Sequence, residues 1–244
     1  STHIPLLLSN KSLKEEATQE DQQNLEEAIS KLSSNRFIVI DTPGSDSSLS
    51  RAAHAVADTL ITPLNDSFID LDMLVRLKSD TLDILRPSTY AEMVWEQKLQ
   101  RAKRDKGSID WIVMRNRLSN IDARNKRFMT QVLTELSRRI GFRVAPGFSE
   151  RVIFRELFLQ GLTVLDVMDA GGSTSVSISH VAARQEVRDL LKVLQIPKID
   201  ARIDEMRVKP ECKKSTVDVN LTEEVVAVTT AEDEAAPSTT AAEA

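Results

Sequence analysis

Asp41 and Gly44 are the first residues in this chain whose types and spacing suggest chemistry. They lie in Phe37-Ile38-Val39-Ile40-Asp41-Thr42-Pro43-Gly44, an unbroken apolar run closed by a carboxylate and, three residues on, a glycine. In nucleotide-hydrolysing α/β proteins a carboxylate closing such a strand holds Mg2+, often through a water. The glycine leaves the backbone N–H open to a terminal phosphate, because no Cβ intervenes. A D-x-x-G loop of this kind can order when that phosphate is present and relax when it leaves. Asp, Pro and Gly are also ordinary turn residues, so the plain alternative is a strand ending in a turn.

Two further groups stand out. Trp111-Ile112-Val113-Met114-Arg115-Asn116-Arg117 places an amide and a guanidinium at the end of a second apolar run. Ligands of open α/β sheets bind at that edge, and the Asn116 amide can donate and accept toward a nucleotide base. A polar loop is the alternative. The third group is basic: residues 98–155 hold fifteen Lys and Arg against five acids. Within it Arg124, Arg127 and Arg138 share the face of a helix opposite Phe128, Met129, Val132, Leu133, Leu136 and Ile140. Lys126 and Arg139 flank them, and Arg151 and Arg155 follow. Such a row can neutralise DNA phosphates without reading sequence, with an affinity that falls as salt rises; the alternative is a solvated helix face.

The elements that must carry these residues read as α/β. Strands are predicted at 37–40, 59–64, 111–115 and 142–144, the first buried on both faces. Helices are predicted at about 48–57, 67–78, 88–105, 121–140, 150–158 and 178–194, with a polar linker and helix over 11–35. Alternation of this kind predicts a mostly parallel sheet with helices on both faces. The expected domains are 1–35, a linker and helix; 36–200, the α/β domain; and 201–244, an acidic tail. Eight acids against two lysines after residue 210, without hydrophobic period, predict disorder there.

Composition narrows the function classes. The 244 residues are 41% hydrophobic and 28% charged, enough for a full core. One cysteine, Cys212, excludes an internal disulfide framework. Three scattered histidines argue against a His-based metal centre, and no catalytic triad can be assembled. His54, amid Ala52, Ala53, Ala55 and Val56, reads as a partly buried helix residue. No apolar run reaches the roughly 20 residues of a membrane helix, and a cytoplasmic location is the economical reading. No G-x-x-x-x-G-K-[ST] phosphate cradle occurs, and Gly171-Gly172 lacks the lysine. The chain opens on Ser1 and IPLLLS reads as the middle of a domain, so a preceding piece is expected.

The string DTPGSDSSLSRAAHAVADTLITPLNDSFIDLDML (41–74) resembles the ParA/MinD class of deviant Walker ATPases, and within it the MipZ-like division-plane positioning family. The likeness continues through PSTYAEMVWEQKLQRA, DWIVMRNRL, IDARNKR, GFRVAPGFSERVIFRELFLQGLTVLDV and HVAARQEVRDLL, to about residue 195. The resemblance implies a P-loop NTPase-like fold and an ATP-dependent homodimer switch using ATP and Mg2+. Implied partners are the centromere-binding protein ParB, the tubulin-like FtsZ whose assembly is inhibited, and nonspecific DNA, with nucleoid association. It implies Asp41 for Mg2+, Thr42, Pro43 and Gly44 at the nucleotide phosphate, Asn116 and Arg117 at the base, and Arg124, Lys126, Arg127, Arg138 and Arg151 toward DNA.

The departures are the family's first strand and P-loop, which these residues lack, so the chain alone is expected not to hydrolyse ATP. Phe128 and Ser149 also stand where basic residues would be sought. Two alternatives stay open: a chromosome or plasmid segregation ATPase of the ParA type, and a non-catalytic module binding DNA or protein.

Overall fold

The computed structural model describes residues 3–65, 67–78, 83–118, 123–159, 161–166, 178–196 and 225–230, with backbone alone at 123–126 and 225–230. They divide into two units, Ser1–Ala57 with Glu96–Gly107 and Thr216–Ala244, and Asp58–Trp95 with Ser108–Ser215.

The first unit starts with β1 (His3–Leu6), α1 (Lys14–Lys31), β2 (Phe37–Asp41) and α2 (Ser48–Val56). Glu15 and Glu16 in the first turn of α1 and Lys31 in its last complement the helix dipole. Leu25, Ala28 and Leu32, repeating at helical spacing, are buried with Leu6, Leu49 and Ala53. Ile38 and Ile40 of β2 pack against that cluster. Val39, pointing the other way, is 49% exposed, so β2 is covered on one face rather than on both as its apolar run predicts.

The second unit contains β3 (Thr59–Asn65), α3 (Phe68–Leu74), β4 (Val75–Leu77), β5 (Ile84–Pro87) and the start of α4 (Thr89–Asp105). β6 (Asp110–Asn116), α5 (Ala123–Leu136), a π-helical turn (Ser137–Gly141), β7 (Arg143–Ala145), α6 (Val152–Leu159) and α7 (Ile178–Val193) follow. β3, β6 and β7 form a parallel sheet in that order, with Asn65 opposite Asn116 and Ile112 opposite Arg143. Here both faces are covered. Trp111 and Val113 join Leu64, Leu71, Leu133 and Leu136 on one side, while Ile112 and Met114 meet Ala145, Leu190 and Val193 on the other. The Trp111 indole N–H donates to Thr62 Oγ1 at 3.0 Å, satisfying the one polar atom that this side chain brings into the core. Residues 75–77, predicted as the end of a helix, instead form β4 and pair antiparallel with β5. Val75 is fully buried there, as a β-branched residue suits a strand.

The last described element is β8 (Val225–Thr230), which lies between β1 and β2 and runs parallel to both. Five of its six residues are β-branched, a local preference for strand that the acidic surroundings conceal. The strands expected of one sheet thus belong to two described sheets, both parallel and α/β in kind. Gly171, Gly172, Cys212 and the rest of the tail lie outside the described residues.

Candidate functional site

β2 ends at Asp41, and residues 42–47 lead into α2. The Asp41 carboxylate is exposed and makes no hydrogen bond or ion pair with another described residue. A Cβ placed on Gly44 would meet nothing within 4 Å, so nothing in the fold around it demands a glycine. The far end of the loop is held firmly. Ser47 caps α2, its side chain accepting from the Ser50 N–H at 3.1 Å. Arg51 grips Asp46 with two prongs, Nε to Oδ1 at 2.6 Å and Nη2 to Oδ2 at 2.7 Å, and reaches Glu96 Oε2 with Nη1 at 3.1 Å. The hydrogen-bonded guanidinium holds the Asp46 carboxyl below the usual carboxylate range.

Beneath the loop lies Asp21 of α1, which is 1% exposed. It accepts from the Ser9 N–H at 2.7 Å and from the Ser48 hydroxyl, tying the β1–α1 connection to the start of α2. His54 is buried, more fully than the partial burial expected of it, its Nδ1 2.7 Å from the Ser50 carbonyl; burial lowers its pKa below the ordinary value. Asp21 is the positioning residue that motif reading passes over. Its signal was available: it stands at helical spacing with Leu25, Ala28 and Leu32, on the apolar side of α1.

Asn116 and Arg117 belong to the other unit. Asn116 is half-buried at the end of β6, and Arg117 takes the left-handed conformation at φ +50°. The chain beyond is stitched to the loop after β7. The Leu118 N–H donates to the Phe148 carbonyl at 2.9 Å, the Glu150 N–H to Leu118 at 3.2 Å, and the Phe148 N–H to Arg115 at 2.9 Å. A Cβ on Gly147 would come within 2.5 Å of the Arg115 carbonyl oxygen, so this glycine is required by the fold itself.

The basic stretch is partly spent on internal pairs. Arg151 binds Glu186, Nη2 to Oε1 at 2.8 Å, with only 22% and 17% of the two side chains exposed. Arg143 pairs with Asp110, Arg139 with Glu135, and Arg101 and Arg104 with Asp105. Arg127 and Arg138 are exposed. The side chains of Arg124 and Lys126 lie outside the described residues. The structure thus places Asp41–Gly44 together in one unit, and Asn116, Arg117, Arg138 and Arg151 in the other.

Among the described residues no group of three or more His, Cys, Asp or Glu side chains is arranged to hold a metal. Asp41 with an open Gly44 loop fits a different demand, that of Mg2+ which keeps waters and phosphate oxygens and takes one carboxylate from the protein. No described helix is long and apolar enough to cross a membrane.

Parallel strands joined by helices, with an acid closing a strand and a glycine in the loop after it, define a P-loop NTPase-like α/β protein. The family model described as ATPase MipZ matches residues 2–198, and the chain belongs to that family, one of ParA-like ATPases that act in positioning cell division. No curated protein matches it.

Proposed function

We propose that this protein works as an ATP-dependent dimer switch that places the division site by restraining FtsZ assembly, recruited by ParB and held near nonspecific DNA. The observation that carries this reading is the Asp41–Gly44 edge, an exposed carboxylate with no partner among the described residues and a glycine facing open space at the end of a parallel strand, in a chain of this family. Bound there, Mg2+-ATP would supply a phosphoanhydride for hydrolysis. Asp41 would orient the metal through its exposed carboxylate. Gly44 would bring its N–H toward a phosphate oxygen, while Ser47, Arg51 and Asp21 hold the loop's far end still. A bound phosphate ordering the loop favours the state that it contacts better, which is how a ligand becomes a switch.

These residues hold no G-x-x-x-x-G-K-[ST], so alone they are expected not to turn over ATP. The test uses the protein expressed with whatever its reading frame encodes upstream of Ser1. Asp41→Ala should lower Mg2+-dependent turnover by about 100-fold or more, and undiminished turnover would show that the metal binds elsewhere. The DNA contact would use Arg124, Lys126, Arg127, Arg138 and Arg151, the last of which also pairs with Glu186. Arg127→Ala with Arg138→Ala should weaken DNA binding and reduce its salt slope by about 2, leaving turnover unchanged. Salt-sensitive DNA binding with no response to ATP would favour the non-catalytic binding module.

A further inference from the structure

α4 has two faces of different kinds. Ala91, Met93 and Val94 are buried in the core of the second unit, which accounts for the inner one. The outer face carries Glu92, Trp95, Leu99 and Ala102, spaced 3, 4 and 3 residues apart. All four are exposed, Trp95 by 54% and Leu99 by 45%. Alternating steps of three and four are the seam of a two-helix contact, narrower than the stripe by which a helix covers a core. Apolar side chains scattered singly over a surface need no partner. These three apolar residues stand in one line on one helix, and that helix alone fixes their spacing.

The charges along this line are sorted. Glu92 and Glu96 accompany its first half, Lys103 and Lys106 its second, and all are exposed. Glu96 also accepts from Arg51 Nη1 at 3.1 Å, with 60% of its side chain still open to solvent. Lys106 closes the helix, its N–H donating to the Ala102 carbonyl at 3.1 Å. A second copy laid parallel to α4 would set Glu against Glu and Lys against Lys. Laid antiparallel, it sets Glu96 beside Lys103 of the second copy, and the twofold axis repeats the pair, so the helix is its own complement. The same arrangement puts the small Ala102 opposite Leu99 and the Trp95 ring along the stem of Lys106. Tryptophan is the residue type that most often anchors such contacts.

We propose that the outer face of α4 is a homodimer contact, on which a second copy of this chain docks antiparallel through Trp95, Leu99 and Ala102, with Glu96 and Lys103 setting the register. No nucleotide enters this contact. It goes beyond the ATP-dependent switch proposed above and stands or falls apart from it.

The test is sedimentation velocity of the full chain without nucleotide, from about 1 to about 100 µM. A reversible monomer–dimer equilibrium should appear. Leu99→Glu should weaken it by about 100-fold while thermal unfolding of the monomer stays as in the parent, because the side chain lies on the surface. Two charge variants check the pairing: Glu92→Lys with Glu96→Lys, and Lys103→Glu with Lys106→Glu. Each should be monomeric alone, and an equimolar mixture should dimerise, less so as salt rises. A parent chain that stays monomeric throughout would overturn the proposal, as would a dimer that Leu99→Glu leaves intact or charge variants that ignore each other when mixed. A dimer that forms only with Mg2+-ATP would also overturn it, and would support the switch instead.

Discussion

β2 and β6 look alike as sequence, each an apolar run closed by polar residues, yet they end differently. β6 is buried on both faces, and the chain after it is locked by three backbone hydrogen bonds and a glycine that the packing demands. β2 is covered on one face, and it ends in a carboxylate without a described partner and a glycine in open space. The difference separates residues that packing inside the molecule explains from residues that it does not. Gly147 is explained from inside the molecule; Gly44 is not.

The sharpest way to break this contrast is a core truncation in each strand. Ile112→Ala should cost about 2–5 kcal/mol, because Ile112 is completely buried, whereas Val39→Ala should cost at most about 1 kcal/mol. Both tryptophans belong to the second unit, so denaturation followed by fluorescence reads the first of these, and hydrogen exchange at β2 reads the other.

The glycines come next. Gly147→Ala should destabilise by about 1–3 kcal/mol, since the atom it strikes is backbone. Gly44→Ala should leave stability within about 0.5 kcal/mol of the parent while abolishing any response to ATP. Equal destabilisation by the two would erase the distinction between the strand ends. Arg117→Gly should raise stability by about 1 kcal/mol, as it relieves the left-handed backbone after β6.

The smallest effect is one of pH. His54 is held neutral by burial, with its pKa below the ordinary value of 6.5, so the unfolded chain takes up a proton first as pH falls. Its contribution to stability is therefore complete above about pH 6.5 and is lost as pH drops toward the lower folded value. Hydrogen exchange in α2 should quicken from about pH 7.5 to about 5.5 beyond its intrinsic pH dependence, and His54→Gln should flatten that excess.

Much of this architecture is legible in the sequence, because helix and strand periods differ and because apolar runs closed by Asp or Asn mark strand ends. α2, α4 and α7, and the four strands from β2 to β7 that lie in parallel sheets, appear within a residue or two of their expected bounds. What escaped notice escaped for physical reasons. β4 follows α3 without a breaking residue, so Val75 reads equally well in either period. β8 is hidden by the acids around it, and Val39 by the fact that an apolar run does not say which of its faces will be covered. In the candidate site, Asp41 and Gly44 stand out by type and spacing, but the pairing of Arg151 with Glu186 does not, because thirty-five residues separate the pair. Asp21 was visible in principle, as an acid on an apolar stripe.

The position of β8 carries a consequence for biosynthesis. A ribosome delivers β1 and β2 well before β8, so the sheet that holds Asp41 closes only after the strands of the second unit have emerged. The second unit, whose strands follow one another closely, can assemble while translation continues. The sheet that carries Asp41 is thus completed after the sheet of the second unit.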